Sequence, residues 1–537
     1  VSPNSDDVTN ASQTSVLIAG GGPVGLALAI ELGLCGVDCI AVEKRDGAIP
    51  VPKMSQVSSR SMEHCRRWGI AEEVKRAAWS ADYPMDFVYV TNLTGKEIAR
   101  LKVPSYAERG EIKTTPEGAR HCPQTYFDPI LAARAAKLET VSLRYNTRLD
   151  GFTQDSDGIE AQLTDVETGR GGTLNAQYLI GCDGPDGIVR SALGIELGGA
   201  GVIANSTNIF FKSSELASLH DKGWARFYRP IDAAGCWGEL IPIDGKELWR
   251  LTVFHEEERP KDPDVYLARM AGAEFDYEIL SILPWERRDY VAASYRDRRV
   301  LIAGDAAHQC SPTGGYGMHT GLVEAVNLAW KLWATLAGWG GPGLLDSYQA
   351  ECRALARYIV TNATYAFEEI TSLPGLAGVD GDAAVREFND FLQKSSDNSV
   401  SAVAERVKSY YSFWDSPICI LSEADDPEPD PAKQSPSTMP GSPAPHAWLA
   451  PGQSTLDLFA GQFTLLSFGA DDLAAGPMLA AAEARGVPLK LIQVDDPDIA
   501  RLYERKLVLV RPDAYVAWRG DQCPADAAAV IDHVRGA

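Results

Sequence analysis

The sequence predicts an α/β fold in three parts: a parallel-sheet domain layered with helices, an antiparallel sheet inserted into it, and a small α/β module at the end. Three observations carry that expectation. Near the start, the apolar run Val16-Leu17-Ile18-Ala19 passes through Gly20-Gly21-Gly22-Pro23-Val24-Gly25 into the helical segment Leu26-Ala27-Leu28-Ala29-Ile30. Between Asn208 and His255 the hydrophobic period becomes two, the signature of half-buried strands. In the tail, strand and helix patterns follow in the order β-α-β, then β-β-α.

The glycine-rich turn is the first element with chemical content. Gly20 permits a tight strand-to-helix turn, Gly22 lets backbone approach a pyrophosphate at the helix N-terminus, and Gly25 allows close helix-to-strand packing. A second apolar run, Cys39-Ile40-Ala41-Val42, ends at Glu43, the acid about 20 residues on that accepts from ribose hydroxyls in dinucleotide sites. Pro23, Val24 and Lys44 are counted with the same site. Together these features predict a Rossmann-like dinucleotide domain.

Helical periodicity at Ser59 to Trp68 and from Pro129 to Lys137 extends this domain over residues 14–196. The inserted sheet is placed at 197–285. Trp224, Arg226 and Tyr228 are expected on one face there, and Ala225, Phe227 and Arg229 on the other. Leu240-Ile241-Pro242-Ile243 and Leu248 to Phe254 flank Asp244-Gly245, which reads as a hairpin. Val300-Leu301-Ile302-Ala303 returns the chain to the first domain, whose second part, with a long helical region, spans 286–412. Residues 413–445 read as a linker, rich in Pro, Asp and Ser from Glu423 onward. Residues 446–537 read as a thioredoxin-like domain lacking a C-x-x-C pair, with Cys523 alone.

Composition narrows the function classes. The 537 residues carry a formal net charge of -23, with no basic block, so a nucleic-acid partner is not expected. No apolar stretch reaches the roughly 18 residues of a membrane span, and Val1 to Ser15 lacks a secretory pattern, so a cytoplasmic protein is expected. The ten cysteines show no metal-ligand spacing and read as buried thiols, with no metal site.

Two further motifs lie downstream. Cys182-Asp183-Gly184-Pro185-Asp186-Gly187-Ile188-Val189-Arg190 follows the apolar Tyr178-Leu179-Ile180. Gly304-Asp305-Ala306-Ala307-His308 continues through Ser311-Pro312-Thr313-Gly314-Gly315-Tyr316-Gly317-Met318 into a helix. With these three motifs in order, the chain resembles the class A flavoprotein aromatic monooxygenases, the group of p-hydroxybenzoate hydroxylase and phenol hydroxylase. The thioredoxin-like tail is that of the phenol hydroxylase branch, and the layout is most like the hydroxylases tailoring rebeccamycin- and staurosporine-type products.

The resemblance implies an FAD-binding domain with a substrate sheet inserted in it. The Gly20 turn and Glu43 would hold the ADP half of FAD, Asp305 the ribityl chain, and Gln124 the ribityl and phosphate region. Asp183 would serve FAD and a transient NAD(P)H. The Pro312 carbonyl would face the flavin, and Gly315, Gly317, Met318 and His319 would border it. Three positions depart from the family pattern besides His319, which replaces an asparagine: Lys53 replaces an arginine near the flavin, Glu324 an aspartate and Gly187 a serine. His308 reads as packing within its own turn, and His319 as a helix-start side chain satisfied locally.

The implied reaction is hydroxylation of a phenolic or fused aromatic small molecule with NAD(P)H and O2 through a flavin hydroperoxide. Lys53, Pro312 and Tyr228 are the catalytic candidates, and Arg226, Tyr228 and Trp237 the substrate candidates. A homodimer is compatible with the sequence. The alternatives are a Baeyer–Villiger or decarboxylating oxygenase and a flavin-binding scaffold or ligand carrier without turnover.

Overall fold

The computed structural model describes residues 13–49, 51, 54–255, 262–375, 385, 386, 388–390, 392, 400–428, 430–459, 461–469 and 472–537. Five parallel strands form the spine of the first domain, in the order Val300–Ile302, Gly171–Gly181, Gln13–Ala19, Cys39–Val42, Val141–Arg144. Val16, Leu17 and Ile18 are fully buried on both faces of this sheet, so these strands show an unbroken apolar run rather than alternation. Helix Pro23–Leu34 packs on the sheet and against the long helix Gly317–Leu336. The first half of Gly171–Gly181 also pairs antiparallel with Ile159–Asp165, which pairs in turn with Thr147–Gln154.

The second sheet has nine strands, running His308–Gln309, Glu278–Ala292, Leu197–Lys212, Leu248–His255, Gly238–Pro242, Phe227–Asp232, Phe87–Val90, Glu97–Leu101 along its main path. The expected hairpin is present, with Leu240 opposite Leu251 and Pro242 opposite Trp249, and three backbone N–H groups donate to the Asp244 carboxylate at its turn. The sheet is not confined to the inserted stretch. Phe87–Val90 and Glu97–Leu101 come from within residues 14–196, and Phe87–Val90 joins Phe227–Asp232 in parallel. All four residues of Phe87–Val90 are buried, which leaves no polar alternation to announce a sheet-edge strand.

Two sequence expectations need correction here. The helix expected from Pro129 begins at Gln124, and Pro129 sits inside it. The stretch read as a linker is a packed strap: Thr438 is fully buried and donates to the Tyr503 carbonyl, Asp425 pairs with Arg519, and Phe413 is 1% exposed. Its Pro, Asp and Ser content reflects turns and caps lying on a surface, not a free tether.

The last sheet runs Leu489–Gln493, Phe463–Ser467, Leu507–Val510, Val516–Gly520, with one parallel and two antiparallel junctions and flanking helices Asp472–Glu483 and Ala527–Val534, a thioredoxin-like arrangement. It docks on the first domain through Trp330, Trp339, Phe463, Leu465 and Met478. All ten cysteines are free thiols. Among the described residues no helix is long and apolar enough to cross a membrane, and no His, Cys, Asp and Glu cluster could hold a metal.

Candidate active site

The parallel register brings the motifs together. Ala19 lies level with Val42 on one side and Gly181 on the other, and Gly181 with Ile302. The residues following these four strand ends, Gly20, Glu43, Asp183 and Asp305, therefore share the carboxyl edge of the sheet, where ligands of open α/β folds bind. They border one cavity of about 2950 Å3 that continues over the second sheet.

Local chemistry explains each position. Gly20 has φ +111, and a Cβ there would stand 2.2 Å from the Cys182 carbonyl oxygen, so the first motif meets the second through a gap only glycine leaves open. The Gly25 position approaches the Gly20 carbonyl just as closely, at 2.0 Å from an added Cβ. Around Gly22 there is open space, and helix Pro23–Leu34 starts there with neither a side-chain cap nor an acid in its first turn. Its N-terminal N–H groups and the positive end of its dipole thus face the cavity, which suits a diphosphate. The Glu43 carboxylate accepts from Gly21 N–H at 2.9 Å and Arg45 N–H at 3.0 Å, keeping lone pairs for a further donor.

In the second motif, Asp183 folds back to accept from Val189 N–H at 3.0 Å, and burial pushes its carboxyl above the ordinary carboxylate range against the opposing pull of backbone N–H groups. An added Cβ at Gly187 would lie 2.2 Å from the Asp183 carboxyl. The glycine in place of the family's serine is thereby explained. Gly187→Ser is expected to swing Asp183 out of its backbone contacts and to lower FAD retention several-fold, checked by flavin absorbance after gel filtration.

In the third, Asp305 is exposed at the cavity. Its turn is anchored from behind by Glu324, which is fully buried and accepts from Gly304 N–H at 2.7 Å. His308 is not merely packed in its own turn, since Nε2 lies 3.2 Å from the Glu324 carboxylate on the helix Gly317–Leu336. Burial lowers the His308 proton affinity, but the Glu324 charge and hydrogen bond outweigh it and leave it raised. A raised folded value contributes stability below the ordinary histidine range that is lost as pH rises through the shifted value. The melting temperature is accordingly expected to fall with rising pH across that window, and His308→Asn to flatten the fall; equal slopes would disprove the pairing. Glu324→Ala, which strands Gly304 N–H, is expected to cost about 1–3 kcal/mol by chemical denaturation.

Of the remaining cofactor candidates, Pro23, Val24, Lys44, Gln124, Pro312, Gly315, Gly317, Met318 and His319 all border the cavity. Gln124 donates to Asp128 at 2.9 Å. The Pro312 carbonyl accepts from Gly315 N–H at 3.0 Å, closing the turn before the helix. His319 is not satisfied locally: Nδ1 lies 2.8 Å from Ser61 Oγ, on the helix Ser59–Arg67. Lys53 lies outside the described residues.

The substrate candidates fare differently. Tyr228 and Trp237 do not reach the cavity. Tyr228 is fully buried, its hydroxyl donates to the Gly223 carbonyl, and it shares a core with Trp249, Leu240 and Leu251 under helix Pro263–Ala271. Trp237 sits in the same core beneath the Arg269 guanidinium, 4.2 Å from its ring centre. The regular strand starts at Phe227, so Arg226, just before it, does not share the face of Tyr228. Arg226 does border the cavity, with Nη2 3.3 Å from Gln56 Oε1.

The opposite face of the sheet is the cavity wall, and it carries Asn208, Phe227, Arg229, Glu239, Ile241, Arg250, Thr252, Phe254 and Arg287. Most were missed from the sequence. The signal was the alternation itself: in Trp249-Arg250-Leu251-Thr252-Val253-Phe254, the buried-core set is Trp249, Leu251 and Val253, which sends Arg250, Thr252 and Phe254 the other way.

A sheet-edge site with an uncapped helix N-terminus, accepting carboxylates and an aromatic wall fits a dinucleotide-dependent oxidoreductase. Residues 13–363 match the family described as FAD binding domain, and 437–537 the family described as aromatic-ring hydroxylase, C-terminal. The chain belongs to the FAD-binding aromatic-ring hydroxylases, the class A flavoprotein monooxygenases. It is 32% identical to aklavinone 12-hydroxylase RdmE of Streptomyces purpurascens, over 98% of each chain. Among solved structures it is similar to chromopyrrolic acid-soaked RebC with bound 7-carboxy-K252c, at 37% identity and TM-score 0.91, covering 98% of this chain and 99% of that one. It is also similar to aklavinone-11 hydroxylase in a ternary complex with FAD and aklavinone, at 28% identity and TM-score 0.81, covering 98% and 99%.

Proposed function

We propose that this protein is an FAD-dependent monooxygenase that uses NAD(P)H and O2 to hydroxylate a fused aromatic or phenolic small molecule. The observation that carries the reading is the single cavity joining the Gly20, Asp183 and Asp305 turns to a wall of aromatic and polar side chains. Bound FAD would supply the redox chemistry, taking hydride equivalents from NAD(P)H and passing one atom of O2 to the ring while the other leaves as water. The N-terminus of helix Pro23–Leu34 would hold the diphosphate, Glu43 a ribose and Asp305 the ribityl hydroxyls. Pro312, Thr313 and the helix start at Gly317, which line the cavity, would border the ring system. Phe87, Phe227, Ile241 and Phe254 give the substrate an apolar platform and exclude water from the reacting edge.

Ring hydroxylation is favoured over the Baeyer–Villiger reading by relatives named as hydroxylases, among them aklavinone 12-hydroxylase RdmE and aklavinone-11 hydroxylase. Purified protein is expected to be yellow and to oxidise NAD(P)H faster with a polycyclic phenol, giving a product one oxygen heavier. A colourless protein that gains no flavin when incubated with FAD would refute the proposal.

A further inference from the structure

We infer that Ser58 and Ser61 are positioning residues that hold His319 as a neutral hydrogen-bond donor to the bound flavin, with its proton on Nε2; this rests on the FAD reading above and adds how this chain tunes the ring. The three side chains form one buried relay. Ser58 caps helix Ser59–Arg67, Ser61 follows within its first turn, and His319 lies in the first turn of helix Gly317–Leu336. Ser58 Oγ accepts from Ser61 N–H at 3.3 Å and donates to Ser61 Oγ at 3.2 Å, and Ser61 Oγ stands 2.8 Å from His319 Nδ1.

The direction of these bonds decides the tautomer. A hydroxyl has one proton and two lone pairs. Ser61 Oγ already receives the Ser58 proton, and giving its own to Nδ1 satisfies the whole relay. A proton on Nδ1 would instead aim a second donor at Ser61 and leave the serine proton without its acceptor. Nδ1 therefore accepts, and the proton of the neutral ring sits on Nε2. His319 borders the cavity together with Gly317 and Met318 while Nδ1 is turned to the serines, so Nε2–H is the polar edge it has for a cavity ligand. The helix start acts in the same sense, having neither a side-chain cap nor an acid in its first turn. A hydride taken from NAD(P)H brings the bound ring two electrons and one proton, so the ring gains a negative charge while the coenzyme leaves as NAD(P)+. A donor fixed beforehand at the ring's border stabilises that reduced form over the oxidised one. The asparagine of the family pattern carries an N–H donor in its own amide and needs no relay. Histidine needs one, because either ring nitrogen can hold the proton.

The midpoint potential of bound FAD is measured by spectroelectrochemical titration. Ser61→Ala is expected to weaken reduced relative to oxidised FAD about tenfold, a two-electron potential about 30 mV lower. In a His319→Asn background the same Ser61→Ala change should leave the potential where it was, since the amide donor does not depend on the hydroxyl; a merely structural role of Ser61 would shift both backgrounds alike. Nitrogen NMR of protein carrying isotope-labelled histidine, with the His319 signal assigned by its loss in His319→Asn, should find the proton on Nε2. A proton on Nδ1, an unshifted potential in FAD-loaded Ser61→Ala, or equal shifts in the two backgrounds overturns the inference. Flavin absorbance of the same samples reports the FAD reading separately: protein that takes up no FAD sinks that reading and the donor role with it, whereas loaded protein with an unshifted potential sinks the donor role alone.

Discussion

Gly20→Ala is expected to yield colourless protein. The φ of +111 at this position is strained for any residue with a Cβ, at about 1–3 kcal/mol, before contact is considered. The added carbon would also stand 2.2 Å from the Cys182 carbonyl oxygen, which is backbone and cannot swing aside. Relief requires the Gly20 turn to part from the strand end at Gly181. That separation moves the helix N-terminus away from Asp183 and Asp305, the groups that must close on the same molecule. A distortion of about 3 kcal/mol or more converts to a loss of roughly 100-fold in FAD affinity. Flavin fluorescence titration measures it directly, with circular dichroism to show that the sheet has formed. Ordinary FAD affinity in folded Gly20→Ala protein would mean that the turn does not carry the diphosphate.

The second large effect lies far from the cavity. Glu351 on helix Leu344–Thr371 is 1% exposed and contacts both Lys331 on helix Gly317–Leu336 and Arg511 at the end of strand Leu507–Val510. Arg511 also pairs with Asp513, which accepts from Trp330 Nε1 at 3.1 Å. The two cations and two anions balance, and they join the C-terminal domain to helix Leu344–Thr371 and to helix Gly317–Leu336, which carries Glu324 and His319. Removing one partner leaves the others charged and buried, so Glu351→Gln is expected to cost about 3–5 kcal/mol by denaturant unfolding. Burial alone would raise the Glu351 carboxyl; Arg511 and Lys331 overcome that and hold it well below the ordinary range. A depressed folded value means stability that is complete above the unfolded carboxyl range near pH 4.3 and is lost as pH falls toward the folded value. The acid limb of the melting curve should therefore be steeper in the natural protein than in Glu351→Gln. Equal acid limbs, or a cost below about 1 kcal/mol, would show that the network is not what joins the domains.

This network also bears on the role of the C-terminal domain. Its one cysteine, Cys523, is a free thiol whose pKa is raised by partial burial. The domain buries Trp330 and Trp339 and clamps the far end of the helix whose beginning borders the cavity.

Much of the nucleotide end of the site was legible in the sequence because its requirements are local. A turn with positive φ, a helix start without a cap and an acid at a strand end each need particular residue types within a few positions. The substrate wall was legible only as alternation. Period two separates Arg250, Thr252 and Phe254 from Trp249, Leu251 and Val253, but it does not say which set meets core. Tyr228 was misplaced for that reason: its aromatic ring suits either side, and helix Pro263–Ala271, roofing one face, decides the matter. Phe87–Val90 joined the wall unannounced because both of its faces are buried.

The sequence by itself determined the order of the motifs, the glycine at each close approach, the hairpin at Asp244 and the thioredoxin-like tail, since backbone sterics and side-chain periodicity act along the chain. The tertiary structure alone decided that four strand ends meet in register, that Glu324 reaches back to Gly304, that the arginines share one cavity face, and that Glu351 meets Arg511. Those contacts join residues tens to hundreds of positions apart, and their energies depend on burial and distance, which exist only once the sheets have packed.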